Sequence, residues 1–379
     1  MRPDVKPKLW ASAIVLLWCG VALAGGAATD AYEDIDAAAP VDVHAFADVY
    51  GVYNSDAPAS RTNQLRAFDV TSGRPSLGYL RLTLAHRPQR VGFRVDAGFG
   101  AVANTYETSD PAFTTHRSWA RALSYFGQAF FTAVVPTERP ISIDVGKFGT
   151  PVGLEDNESL PNWNYSRSFL YTWAEPSLHT GLRLSCAVTG TLDVSLFWVN
   201  GWNANLLGGN TMRSFAGALT WHPTTSLTLS LTDMAGLERP PTDLAAPLAS
   251  RNILDAFVVL AATEHLSLAS SADYGVDGTG AGVDFWGVAA YARVQAWPWL
   301  AAALRGEYLA DPSGFITATP QGLAEATTTL ELRRDAGPVH LVGRLEYRHD
   351  RSSAHPFDGA LPATQSTQDT ITVALLAAY

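Results

Sequence analysis

The sequence predicts an all-β protein, a transmembrane antiparallel up-and-down β-barrel of about 16 strands, and three observations support this fold class. Apolar and polar residues alternate with period two in many segments, and the connections between these segments alternate between short and long. Hydrophobic residues make up 47% of the chain, yet no apolar stretch after the N-terminal segment is as long as a membrane helix. Any membrane crossing is therefore expected to use strands.

The clearest alternating segment runs from Val91 to Gly100. One face carries Val91, Val95 and Phe99, and the other carries small or charged residues such as Arg94 and Asp96. The same pattern recurs over 192–198 and 339–348. Soluble β-sandwiches alternate in the same way, so this pattern alone does not distinguish a protein core from lipid.

The lengths of the connections are more decisive, because short and long ones strictly take turns. Short turns are predicted near 86–90, 135–140, 189–191, 222–225, 263–265, 296–298 and 335–338. Long loops are predicted near 53–76, 102–122, 150–177, 201–212, 236–251, 276–283, 311–321 and 350–368. Bacterial outer-membrane barrels have this asymmetry, with short periplasmic turns and long outer loops. These connections give sixteen strands and place both chain ends on the short-turn side.

The N-terminal residues are typical of an export signal. Arg2, Lys6 and Lys8 precede an apolar run from Leu9 to Ala24, which ends on small residues. We therefore predict a signal peptide over 1–24, a disordered lead or short periplasmic extension over 25–40, and a single barrel domain over 41–379. The predicted location is the bacterial outer membrane, in contact with its lipids.

Charge and cysteine content exclude several classes of function. The signal carries a net charge of +2, so its removal moves the chain from −10 to −12, which argues against nucleic acid as a partner. Cys186 is the only cysteine after residue 24, which leaves no intrachain disulfide and no cysteine-based zinc site. The nine histidines show no metal-ligand spacing, so neither a metal nor another cofactor is predicted.

Aromatic residues mark the predicted strand ends, where an interfacial girdle would lie. The candidates for this girdle are Trp198, Trp202, Trp221, Trp297, Trp299, Tyr308 and Tyr347. The last segment, Thr370 to Tyr379, alternates and ends on an aromatic residue. Such an ending resembles the signal by which outer-membrane barrels are recognised, so the strand ending at Tyr379 is expected to engage the barrel-assembly machinery.

The connection over 150–177 is the longest and has an unusual composition. It carries three carboxylates, at Glu155, Asp156 and Glu158, together with Arg167 and a group of aromatic residues. Long connections without regular structure are usually functional. As the third long loop, it is expected to fold into the barrel lumen.

A set of residues in and around this loop forms a recognisable pattern: Gly146, Lys147, Phe148, Pro151, Gly153, Asn162, Trp163, Asn164, Tyr165, Ser166, Arg167, His179, Thr180, Gly181, Asn200, Gly201 and Trp202. With this pattern the sequence resembles the OmpL-like family of β-barrel porins of Gram-negative bacteria. The resemblance is specific over about 141–203 and looser elsewhere. The resemblance implies an outer-membrane barrel with pore function, and no catalytic residues come with it.

A barrel of this size leaves an aqueous channel unless a loop fills it, so a passive channel for ions and small polar solutes is predicted. The candidate constriction comprises Arg94, Asp144, Lys147, Glu155, Asp156, Glu158, Arg167 and Arg183. We expect the three loop carboxylates to face Arg167, Arg183 or Lys147 across the opening. The alternative is a loop packed against the wall with its charges solvated.

Other functions stay open at this point. A soluble all-β protein would also alternate, and a plugged structural or adhesive barrel would have the same strands. A membrane-barrel hydrolase would need a nucleophile and a base; Ser166, Ser168 and His179 lie near one another in sequence, but no nucleophile-elbow motif frames them, so no enzyme is predicted. General porins often form homotrimers, an assembly that one sequence cannot establish.

Overall fold

A computed structural model describes residues 41–113, 116–205, 213–238, 248–278, 282–360 and 364–379. The predicted signal peptide and N-terminal extension lie outside these residues. None of the helices in the described parts of the chain is long and apolar enough to cross a membrane.

Sixteen antiparallel strands form a closed barrel in the part of the chain that the structure describes. Each strand pairs with the next, and the first pairs with the last from Phe46 opposite Ala378 to Asn54 opposite Thr370. The strands are β1 (Asp42–Asn54), β2 (Pro75–His86), β3 (Val91–Phe99), β4 (Phe126–Val135), β5 (Ile141–Gly149), β6 (Leu178–Ala187), β7 (Leu192–Val199), β8 (Ser214–Thr224), β9 (Leu227–Glu238), β10 (Ala249–Ala261), β11 (Leu266–Asp277), β12 (Val283–Trp297), β13 (Leu300–Asp311), β14 (Gln321–Ala336), β15 (Val339–Ser352) and β16 (Thr367–Ala378).

The loops on one side of the barrel contain the remaining elements. Helices α1 (Ala101–Ser109) and α2 (Arg117–Ser124) lie in the second loop, with a 3₁₀ turn at Pro111–Phe113 between them. A π-helical turn at Leu170–Ala174 lies in the third loop. The eighth loop contains a small hairpin, in which Phe357–Asp358 pairs with Thr364–Gln365.

The predicted strand count and alternating connections are confirmed. In β3, Arg94 and Asp96 are 6% and 2% exposed and face the lumen, whereas Val91 and Phe99 are 64% and 51% exposed on the outer face. This is the reverse of a soluble protein, in which large apolar side chains are covered. An outer face of exposed aliphatic and aromatic residues is the surface that lipid would cover.

The predicted aromatic girdle is correct for six residues and wrong for one. Trp198, Trp221 and the stacked pair Trp297 and Trp299 are about half exposed on the outer face, as are Tyr308 and Tyr347. Trp202 instead packs against a buried apolar cluster, where the guanidinium of Arg251 lies 5.4 Å from its ring centroid. It follows a strand in sequence, but its loop turns inward.

Both described ends of the chain lie at the short-turn edge, as expected. The backbone N–H of Ala45 donates to Tyr379 O at 2.9 Å, and Tyr379 N–H donates back to Ala45 O at 2.9 Å. The long loops therefore all emerge at the opposite edge of the barrel.

Candidate functional site

The third loop, residues 150–177, lies inside the barrel. Phe169, Leu170 and Ala174 are completely buried, and Leu170 packs against Leu309 and Phe285 of the lumen wall. At the start of the loop, Pro151 O accepts a hydrogen bond from Thr232 of β9 at 2.9 Å. The predicted insertion of this loop into the lumen is thus confirmed, and its contacts define the site.

Arg344 of β15 holds the loop by its backbone. The side chain is 0% exposed, and it is bound by the Glu331 carboxylate through two hydrogen bonds of 2.6 and 2.9 Å. Its guanidinium donates to four carbonyl oxygens of the loop: Ser159 O (2.5 Å), Asn162 O (2.7 Å), Leu160 O (3.2 Å) and Asn164 O (3.3 Å). A planar guanidinium with five donors suits this multiple contact.

Two more buried arginines continue the attachment, and with Arg344 they form what we call the arginine ladder (Arg305, Arg344, Arg348). Arg305 of β13 donates to Ser166 O at 2.6 Å, and Arg348 of β15 donates to Arg167 O at 2.5 Å. Each also binds wall carboxylates, so its charge is compensated: Arg305 pairs with Glu325 at 2.7 Å, and Arg348 pairs with Asp350 at 2.6 Å. Buried charges require such partners.

Two wall carboxylates bind the loop's peptide N–H groups. Glu346 accepts from Tyr165 N–H at 2.6 Å and Ser166 N–H at 2.9 Å. Glu307 accepts from Phe169 N–H at 2.5 Å and Leu170 N–H at 3.2 Å. Donors and acceptors of the loop backbone are therefore both satisfied by β13 and β15.

The predicted pairing of the loop charges with Arg167, Arg183 or Lys147 is wrong. Glu155 pairs with Arg305 at 2.7 Å, and Glu158 pairs with Arg81 of β2 at 2.9 Å. Arg167 instead folds back on its own loop, donating to Asp156 O, Asn157 O and Tyr165 O, with Phe68 5.0 Å from its guanidinium carbon. The loop crosses the lumen and contacts strands that are distant from it in sequence.

The other predicted basic residues also have local partners. Arg183 of β6 pairs with Asp144 of β5 at 2.7 Å, as the strand register allows. Lys147 donates to Leu123 O at 2.9 Å and lies 5.4 Å from the ring centroid of Tyr106, so the helices of the second loop cover it. Lys147 therefore does not face the loop carboxylates.

The acidic stretch of the loop faces the wall at β2 and β3. Asp156 is exposed, whereas Glu158 is held by Arg81. Arg81 also lies 3.6 Å from Asp96, and Arg94 contacts the same carboxylate at 3.1 Å. Burial raises the pKa of Glu158 to about 8, although Arg81 opposes the shift. Of the predicted constriction residues, Arg94, Asp156 and Glu158 thus come together here.

Sequence reasoning missed Arg81 and the arginine ladder. The alternation in β15 did indicate these residues, because Arg344, Glu346 and Arg348 alternate with apolar residues and so had to face the lumen. Nothing in the sequence indicated that the loop would meet that strand.

Several of the family-like residues have structural roles in the inserted loop or in the strands and turn beside it. Gly146 and Gly201 have φ of +141° and +138°, and a side chain at Gly181 would collide with Trp198 O. Asn162 donates to Asp156 O and Glu158 O, closing the acidic turn. Asn164 donates to Thr329 of β14 at 2.8 Å. Asn162 and Asn164 therefore stabilise the loop, and the glycines meet local backbone requirements beside it.

Comparison with solved structures gives the same architecture at low sequence identity. The outer membrane channel DcaP of Acinetobacter baumannii superposes with a TM-score of 0.57 and 12% identity, over 89% of this chain and 96% of that one. OmpT of Vibrio cholerae gives 0.56 and 6%, over 89% and 97%. An anion-selective porin from Comamonas acidovorans gives 0.56 and 10%, over 89% and 99%. These likenesses show the fold.

No curated protein matches the sequence. A family model does: the model of beta-barrel porin-2, OmpL-like, matches residues 40–379, which is the whole barrel. With the closed sixteen-stranded barrel and the inserted third loop, this match shows that the chain is a porin of the outer membrane and belongs to the OmpL-like family of β-barrel porins.

Proposed function

We propose that this porin is a passive channel for ions and small polar solutes, with its narrowest part between the acidic turn of the third loop and the wall at β2 and β3. One observation carries the proposal: the arginine ladder binds the loop at β13 and β15, while Glu158 of the acidic turn pairs with Arg81 of β2 and the neighbouring Asp156 is exposed. In this proposal the exposed carboxylate of Asp156 supplies the acidic side of the constriction, and Arg81 and Arg94 of the wall supply the basic side.

Opposed charges across a narrow opening favour hydrated and polar solutes. Such an arrangement creates a transverse field that aligns dipolar solutes, whereas an apolar solute must displace bound water without compensation. A passive channel of this kind needs no metal and no cofactor. Its preference for cations or anions depends on which charge lies closer to the passing ion, that of Asp156 or that of Arg94.

We propose a channel without enzymatic activity. Both ring nitrogens of His179 have other partners, since Nδ1 lies 3.3 Å from Gly201 O and Nε2 lies 3.1 Å from Thr150 Oγ1. Ser166 Oγ accepts from Arg305 at 3.3 Å, and Ser168 Oγ accepts from Tyr171 N–H at 3.0 Å. A serine–histidine pair for nucleophilic attack is not assembled from these residues.

Single-channel recording of the folded protein in a planar bilayer tests the proposal. We expect discrete conductance steps that scale with salt, and Asp156→Asn is expected to lower the cation-to-anion permeability ratio. Glu264→Gln is the matched control, because this carboxylate is 87% exposed in a periplasmic turn. Absence of conductance from folded, inserted protein would favour a plugged barrel, and an unchanged ratio in Asp156→Asn would contradict the assignment of the constriction.

We also propose that three copies assemble in the membrane. OmpT of Vibrio cholerae, one of the similar structures, has been solved in a trimer form. The apolar outer face described above could bind lipid or another copy. Mass measurement of the protein in detergent distinguishes a trimer from a monomer.

A further inference from the structure

A second group of carboxylates lies where the third loop returns to the wall. Asp255 of β10 and Asp273 of β11 stand directly opposite each other in the strand register, both facing the lumen. They are 0% and 3% exposed. Glu175, the last acidic residue of the loop, is 6% exposed and completes the group, which we call the carboxylate trio (Glu175, Asp255, Asp273).

The trio lacks the partners that buried charges require. Both oxygens of Asp255, both oxygens of Asp273 and Oε2 of Glu175 are buried without a hydrogen-bond donor among the described residues. Elsewhere in the lumen, buried carboxylates such as Glu331 and Asp350 are paired with arginine. Three adjacent carboxyl groups without a cation repel one another, and burial strengthens this repulsion. Burial and the two aspartates raise the pKa of Glu175 well above its usual range.

One member of the trio, Glu175, borders open space. A cavity of about 710 Å³ lies between the first loop, helix α1 and the end of the third loop, and Glu175 is part of its lining. Tyr50, Tyr171 and Trp173 supply aromatic surface there, and Asn104 supplies an amide. Arg66 also lines the cavity, but its guanidinium is paired with Asp69 at 2.6 Å and with Asp350 at 2.8 Å.

We propose that this outer cavity is a binding site for solutes that bear a protonated amine, with the ammonium group bound at Glu175 and its charge balanced by Asp255 and Asp273. An ammonium group supplies three hydrogen-bond donors and a positive charge, which are what the trio lacks. Aromatic rings beside it are suited to a cation and its alkyl chain. Among the described residues no group of three or more ligating side chains has the geometry to hold a metal ion, which favours an organic cation.

The proposal rests on the proposed channel, because the cavity would be the first site that a solute meets on the long-loop side. It can nevertheless be tested without conductance. Isothermal titration calorimetry of the folded protein in detergent, with 1,5-diaminopentane as the probe, measures binding directly, and 1,5-pentanediol is the uncharged control of equal length. Failure of binding would then be distinguishable from failure of the channel.

We expect the diamine to bind and the diol not to bind. Glu175→Gln and Asp273→Asn should each weaken diamine binding about tenfold or more, since a charged hydrogen bond is lost. Glu264→Gln should bind as the wild type does. Both trio variants remove repulsion and are expected to fold at least as well as the wild type, so lost binding would not reflect misfolding.

Two results would overturn the proposal. One is diamine binding of the same affinity in Glu175→Gln and the wild type. The other is a wild type that binds magnesium but not the diamine, with Glu175→Gln abolishing the magnesium binding, because the trio would then be a metal site.

Discussion

Replacing Arg344 with alanine should release the third loop from the far wall. Its guanidinium is the shared donor for four loop carbonyls, and two of these hydrogen bonds, to Ser159 O and Asn162 O, are short. A hydrogen bond from a charged group contributes about 1.5–3 kcal/mol. Counting only the two short bonds, the loss is about 3 kcal/mol or more, which corresponds to about a hundredfold increase in the population of the open loop.

The wall should tolerate this substitution. Glu331, the carboxylate that binds Arg344, also pairs with Arg293 at 2.9 Å and with Arg333 at 2.7 Å, so it keeps two partners. We therefore expect the barrel to remain folded while the loop opens. The effect should be local rather than global.

Hydrogen exchange followed by mass spectrometry measures the opening. The peptide N–H groups of Tyr165 and Ser166 are bound by Glu346, and in Arg344→Ala they should exchange about a hundredfold faster. Single channels of the variant should show larger or noisier current. Arg334→Ala is the control, because Arg334 is exposed on the neighbouring strand. Exchange in Arg344→Ala at the wild-type rate would refute the idea that this arginine holds the loop.

Three further changes test other parts of the structure. The pKa of Glu158 is about 8 in the docked loop and 4.5 ordinarily, so docking of the loop is strongest at acidic pH and weakens as pH rises through about 8. Cation preference, measured by reversal potential, should therefore rise from about pH 6 to about pH 9 in the wild type. Glu158→Gln should abolish this change. Gly153→Ala forces a side chain into a residue with φ of +92° and against Glu175, so it should loosen the loop by about 1–3 kcal/mol and speed its proteolysis. Val373→Arg places a charge on the outer face, where Val373 is 60% exposed; it should destabilise the barrel by about 2–4 kcal/mol in lipid, and equal stability in urea titration would argue against lipid contact there.

The fold could be predicted because each of its rules is local. Alternation in a segment such as 91–99 gives the two faces of a strand, and the lengths of the connections give the strand order. Predicting an up-and-down barrel requires no other long-range information, because each strand pairs with its neighbours in sequence. Because the strand number is even, β1 and β16 run antiparallel where the barrel closes.

The site could be predicted only in part, for a physical reason. That the third loop would enter the lumen could be inferred from its length and composition, but its partners lie on strands about 130 to 190 residues later, and the loop's path selects them. Recognition through backbone carbonyls leaves no mark in the loop sequence. The predicted side-chain pairs therefore failed for Lys147 and Arg167, whereas Glu158 did meet a basic wall at another residue, Arg81.

Attachment through the backbone has a consequence for how this channel can change. Arg344 contacts carbonyl oxygens that every amino acid possesses, so these contacts do not depend on which side chains stand at Ser159 and Asn162. The Arg344 contacts that help to position the loop thus use backbone atoms, whereas the proposed solute selectivity depends on a side chain, that of Asp156. Libraries varied at the exposed Asp156 should yield channels with new solute preferences on an unchanged scaffold, and natural divergence of such a loop would be free to follow the nutrients of its habitat.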